Sequence, residues 1–198
     1  MKYLLIFLLF ISCTNTKENL VTVAKKKDLF TSTQKYQILC WTIKRGEGYS
    51  KKSYLCSAGK QTVGYGFTNV RSVNNIHHAD EIFKDIVFKL SLKVNKAYPH
   101  LTYLQKAAII SLLYNTGDLE KIKSSGFSKA LLLKDNKTAI AKFKKWCRVI
   151  TNKKVIKIKG LENRRNYEAK LLNDSFDMND YLSLKEEIAL IYLQNKTV

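Results

Sequence analysis

Acidic residues are scarce in this chain. Its 16 Asp and Glu stand against 35 Lys and Arg, leaving a formal net charge of +19 over 198 residues. That imbalance implies an anionic partner: nucleic acid, a membrane surface or an acidic cell wall. The basic residues are scattered rather than gathered into one arm, so charge alone does not choose among the three. A nucleic-acid role would need a groove-entering motif or a basic helix, and neither is present. Long apolar runs are missing too. The run Tyr3 to Ile11 is about half of the roughly 20 residues that a spanning helix needs. Cysteine is too sparse for a disulfide framework, with four in the chain. Proline occurs once, at Pro99, and no internal repeat or low-complexity block stands out.

What is present is a 45% hydrophobic chain, enough to bury the core of one domain or of a two-lobed one. Its N-terminus has Lys2, the short apolar run and then Ser12-Cys13, the layout of an export signal. Phe10-Ile11-Ser12-Cys13 resembles the lipobox of bacterial lipoproteins, with Phe10 in place of the usual Leu. Residues 1–13 are therefore expected to be a signal of lipoprotein type, with Cys13 as the lipidated residue and the only link to a membrane. Residues 14–30 lack periodicity and read as a tether. The remaining Cys40, Cys56 and Cys147 are odd in number, so at least one thiol stays unbridged. A Cys40–Cys147 bridge would leave Cys56 as that thiol.

Thr31 with Gln34 fits a capping box, and Ile38, Leu39, Thr42 and Ile43 follow at helical spacing. Gly46 and Gly48 are expected to stop that helix, which places Glu47 at its end. Tyr54 to Ser57 and Gln61 to Phe67 read as a β-hairpin broken at Ala58-Gly59. Helical patterns then run from Ala79 to Pro99, Leu104 to Tyr114, Ser128 to Leu133, Thr138 to Trp146, Leu161 to Leu172 and Tyr181 to Gln194. Val149 to Ile158 reads as a second small hairpin. The stretch LQKAAIISLLY (104–114) is apolar on most faces and belongs at the centre of a core. The fold class is α+β, with a small N-terminal hairpin lobe, a mostly helical C-terminal lobe and a cleft between them.

Between Glu47 and Asp80 the chain has no acid at all. One carboxylate therefore stands alone beside the expected cleft, with a glycine on either side to leave it open. His77-His78 lacks ligands at metal spacing and reads as a helix-entry loop. No metal or other cofactor is expected.

Gly46-Glu47-Gly48, Tyr54, Gly59 and Thr62-Val63-Gly64-Tyr65-Gly66-Phe67-Thr68 resemble the catalytic segment of glycoside hydrolase family 24, the phage-type lysozymes or endolysins. That family has Glu, eight residues, Asp or less often Cys, five residues and Thr, which lands here on Glu47, Cys56 and Thr62. The likeness continues through Ala79-Asp80-Glu81, through Gln105 to Asn115-Thr116-Gly117, and through Phe143 to Trp146. It closes on Gly160-Leu161-Glu162-Asn163-Arg164-Arg165 with Glu168, so it covers about residues 32 to 172. It implies a lysozyme domain over 31–172, followed by a helical extension over 173–198.

The resemblance implies a muramidase that hydrolyses the β-1,4 bond between N-acetylmuramic acid and N-acetylglucosamine of bacterial peptidoglycan, acting as a monomer. Glycoside hydrolysis needs a proton donor and a second group that activates water or captures the sugar cation. Glu47 is the expected acid, partly buried beside the lobe interface, and Thr62 would hold the water or orient the second group. Cys56 stands where the family usually has Asp. Its thiolate would serve as base or nucleophile, favoured by Lys51, Lys52 and Lys60 nearby in sequence. Tyr65 and Asn115 are candidate sugar contacts. Phe67 replaces a His that several members carry, and a polar contact is lost with it. The alternative is a catalytically inactive peptidoglycan-binding protein on the same scaffold. The enzyme would act outside the cytoplasm, as a periplasmic or anchored lipoprotein or as a released endolysin.

Overall fold

The computed structural model describes residues 29–56, 59–151 and 154–195. The expected signal and tether, with Cys13, fall outside those residues apart from Leu29 and Phe30. Phe30 corrects one boundary. It is buried, with its ring against Phe176 and Tyr181, so the folded unit begins before residue 31.

Helix α1, Ser32–Glu47, starts on the expected capping box: Gln34 N–H donates to Thr31 Oγ1 at 3.2 Å and Thr31 N–H donates to Gln34 Oε1 at 2.9 Å. Ile38, Leu39, Thr42 and Ile43 form its buried face. The helix runs through Gly46 and stops at Gly48, whose left-handed φ of 67° ends it. Strands β1, Ser50–Leu55, and β2, Gln61–Gly64, pair antiparallel with Tyr54 opposite Thr62 and an irregularity between Ser50 and Tyr54. β2 buries Thr62 to Gly64, while β1 faces water along most of its length.

Helix α2, Ile76–Ala97, carries the chain from the hairpin into the helical lobe and ends just before Pro99. Helix α3, Tyr103–Thr116, is the centre of that lobe and is buried continuously from Ala107 to Leu113. Helices α1, α2 and α7, Lys159–Leu172, pack against it. Thr102 and Gln105 cap it at one end, and Gly117 closes the other at a φ of 72°. A short helix α4, Leu119–Ser124, then precedes α5, Gly126–Leu132, and α6, Asn136–Phe143. Strands β3, Arg148–Thr151, and β4, Lys154–Lys157, form the second hairpin. Helix α8, Met178–Asn195, packs along α1 through buried Tyr181, Leu184 and Ile188. It belongs to the core rather than projecting from it.

Candidate active site

Glu47 closes α1 at the junction of hairpin and helices, with Arg164 on one carboxylate oxygen and the turn after β2 close to the other. Arg164 Nη1 donates to Oε1 at 2.5 Å. On the other side the turn after β2 presses against Oε2, where a Cβ added to Gly66 would lie 2.7 Å from that oxygen. Gly66 also has a φ of 83°, so both backbone and space demand glycine there. Tyr114 on α3 fixes the turn by donating from its hydroxyl to the Tyr65 carbonyl at 2.6 Å. Gly46 has a related reason: a Cβ there would sit 2.8 Å from the Arg164 guanidinium carbon. One of the two glycines flanking Glu47 thus makes room for its ion-pair partner.

Arg164 is itself locked in place. Nε donates to Glu168 Oε1 at 2.9 Å, and Nη2 donates to the Ser111 carbonyl at 3.1 Å. Ser111 Oγ donates to the same Glu168 oxygen at 2.6 Å. Arg165 completes the set, with Nη2 donating to Glu168 Oε1 at 3.1 Å and Nε 3.0 Å from Oε2. Two cations and two carboxylates therefore balance, with all but Glu47 buried. Burial works to lower the Arg164 pKa, but the Glu168 and Glu47 carboxylates outweigh it and push it up. Burial dominates for Arg165 and pulls it down to about 10. Such a network orients Glu47 far better than a solvated pair, because every member is held by others.

The hairpin side is more open. Cys56 follows β1 in a tight turn, its N–H donating to the Lys60 carbonyl at 2.9 Å and its carbonyl accepting from Gly59 N–H at 2.8 Å. Thr62 Oγ1 donates to the same Lys60 carbonyl at 3.0 Å. One backbone oxygen thus ties Cys56 and Thr62 together. Cys56 is half-buried, while Thr62 is buried. The Tyr54 phenol is pushed up by burial first, then by the charges of Glu47 and of Cys56. The same phenol therefore senses the acid and the thiol.

Two expected sugar contacts fare differently. Tyr65 is a core residue at 0% exposure, its ring packed on Tyr49, Phe67 and Phe83 with Lys44 Nζ 4.7 Å from the ring centroid. It offers no face to a pyranose, and that reading is corrected. The alternation of a hairpin does not reveal which face the lobe closes over. Asn115 is exposed at the end of α3, with Oδ1 at 3.5 Å from Arg165 Nη2. It borders a recess of about 400 Å³ with Thr116, Lys121, Lys145, Trp146 and Arg148. A second recess of about 210 Å³, lined by Gly66, Thr68, Asn69, Tyr114 and Gly117, lies on the hairpin side.

The Cys40–Cys147 bridge that the odd cysteine count left open is not formed: both are buried thiols. Burial pushes Cys40 up to about 11, which makes it inert. His78 is a helix-entry residue, its Nδ1 accepting from Asn74 N–H at 3.2 Å. Phe67 packs beneath Gly64 and against Tyr65, a purely apolar contact. Sequence reasoning placed Arg164, Arg165 and Glu168 in a motif but gave them no task. The signal was there, because Glu168 follows Arg164 by four residues and Arg165 by three, the spacings at which helix side chains meet. Ser111 carried no signal, being one small residue in an apolar run.

A short hairpin, a central apolar helix and a Glu–Arg pair at their junction define a lysozyme-like α+β protein. The sequence matches the phage lysozyme family across residues 44–168, and the chain belongs to that family, as a glycoside hydrolase acting on peptidoglycan. An endolysin from Acyrthosiphon pisum secondary endosymbiont phage 1 is 33% identical over 137 residues, 67% of this chain and 93% of the relative. The structure of the endolysin from Escherichia coli O157:H7 phage FAHEc1 superposes with a TM-score of 0.64 at 26% identity, covering 71% of this chain and 94% of the other. The muramidase domain of SpmX from Asticaccaulis excentricus shares the fold at a TM-score of 0.61 and 22% identity, covering 68% and 93%.

Proposed function

We propose that this chain is a muramidase that cleaves the β-1,4 bond between N-acetylmuramic acid and N-acetylglucosamine, with Glu47 as general acid. The observation that carries the reading is the Arg164 bond to one oxygen of the Glu47 carboxylate, with the Gly66 turn close beside the other. Oε1 is engaged by Arg164, so the proton for the leaving glycosidic oxygen is carried on Oε2. As the bond to that oxygen breaks, water adds to the anomeric carbon of the muramic acid. The Cys56 thiolate takes the water's proton, or adds to that carbon itself before water displaces it. Thr62, tied to Cys56 through Lys60, orients this second group. Asn115 borders the groove where glycan or its peptide would lie. The net charge of +19 favours retention on the anionic wall.

The same reading covers the N-terminus. Residues 1–13 export the chain, Cys13 carries the lipid and residues up to about 30 tether a domain that starts at Phe30. Mass spectrometry of the mature N-terminus tests this part, and an unmodified Cys13 in the mature chain overturns it.

The central test is clearance of purified peptidoglycan by wild type, Glu47→Gln and Cys56→Ser, with the reducing ends of the products identified. Wild type is expected to release fragments ending in reducing N-acetylmuramic acid. Glu47→Gln should be slower by about a thousandfold, within the range for losing a general acid. Cys56 in place of a carboxylate favours one second reading, an inactive wall binder. Wild type that binds the polymer without cutting it would establish that reading instead.

A further inference from the structure

Helix α8 lies past the segment that matches the lysozyme family, yet it contacts α1 along the face that leads to Glu47. Tyr181 donates from its hydroxyl to Gln37 Oε1 at 2.7 Å and stacks on Trp41 at a centroid distance of 5.6 Å. One turn before Glu47 the contacts become polar. Lys44 Nζ donates to Asp80 Oδ1 at 2.5 Å and to the Tyr192 hydroxyl at 2.7 Å. Tyr192 in turn donates to Asp80 Oδ2 at 2.5 Å. The ammonium sits among the rings of Tyr65, Phe83 and Tyr192, 4.7 to 5.1 Å from their centroids. The neighbouring Arg45 meets Glu187 at 2.6 Å and lies over the Tyr167 ring.

We propose that α8 positions the catalytic acid: Tyr192 and Glu187 fix the rotation of α1 about its axis, and with it the place of the Glu47 carboxylate. This rests on Glu47 being the acid. Apolar packing of α8 would hold the two helices together more cheaply than a buried lysine, whose charge is costly to desolvate. What the triad adds is direction. Asp80, Lys44 and Tyr192 come from three helices, and each makes hydrogen bonds to both others, so α1 cannot turn without breaking them. A side-chain tip lies roughly 5–6 Å from a helix axis, so a turn of about 10° carries the carboxylate about 1 Å. A shift of that size is enough to cost a catalytic group about a hundredfold in rate. Arg164 holds the carboxylate itself while α8 holds the helix that carries it, so α7 and α8 define its position together.

The test compares Tyr192→Phe and Glu187→Gln with Leu184→Ala, a packing change on the same helix. Initial rates are measured on soluble glycan fragments, together with thermal melting and amide exchange of residues 45–48. Tyr192→Phe is expected to lower kcat about tenfold with KM within about twofold, and to speed exchange at 45–48 while α3 stays protected. Glu187→Gln should act in the same direction and more weakly, because its pair is half-exposed. Leu184→Ala should melt earlier yet keep kcat within about twofold at temperatures where it is folded. Equal kcat losses in Tyr192→Phe and Leu184→Ala would reduce α8 to a packing element and overturn the proposal. So would wild-type kcat with unchanged exchange in Tyr192→Phe. If wild type cuts no glycan, the muramidase reading fails separately, and the exchange at 45–48 still decides whether α8 holds that turn.

Discussion

On its helical side, Glu47 meets a closed set of partners: Arg164, Glu168, Arg165 and Ser111, all buried and each hydrogen-bonded to another. On its hairpin side, β1 is largely exposed, and Cys56 and Thr62 are joined through one backbone carbonyl. The contrast sets where a substitution should be felt most. A buried charge network fails when one member is removed, because the charges left behind lose their compensation. Cys56 is half-buried in an open turn, where water can solvate a thiol or a carboxylate alike. Cys56, which the sequence resemblance sets where Asp is usual, lies on this open side.

The largest blow to the comparison should come from Arg164→Ala. It leaves Glu168 short of a partner and frees Glu47, and should cost about 3–5 kcal/mol, or about 10 °C in melting temperature. Lysis should fall to near the Glu47→Gln level. A melt within about 2 °C of wild type would mean that the network is not closed in the way described. Gly66→Ala comes next. Its methyl group meets the Glu47 carboxylate and a φ of 83°, so activity should drop about a hundredfold with a milder loss of stability. Unaltered lysis would show that the turn does not bear on the acid.

The smallest change should come from the open turn after β1, at Cys56. Cys56→Asp restores a carboxylate and should shift the lytic rate within about tenfold of wild type, upward, with little change in melting. Cys56→Ser should be slower than either. Mild oxidation should inhibit wild type, reversibly by reductant, and leave Cys56→Asp untouched. Oxidant resistance in wild type would remove the thiol from the reaction.

How much of this was legible depended on the range of the interactions involved. The ends of α1 were readable because a capping box and a left-handed glycine are local devices. The place of α3 followed from a run apolar on most faces. The short α4 escaped notice, since six residues capped by Asp118 give no periodicity to detect. Tyr65 was misread because its neighbours in sequence do not say which side of the hairpin the lobe covers. The Glu47–Arg164 pair spans 117 positions, and only the packing of α7 on α3 brings it together.

By itself, then, the sequence determined the elements, the family pattern around Glu47 and the thiol at Cys56, all of which rest on neighbours a few residues apart. Tertiary structure alone decided what holds the acid in place. Arg164 arrives from α7, the Gly66 turn from the hairpin and the Tyr192–Lys44 contact from α8. The first and last depend on how whole helices pack, and the turn on how the hairpin folds back onto α1 and α3, which no local spacing encodes.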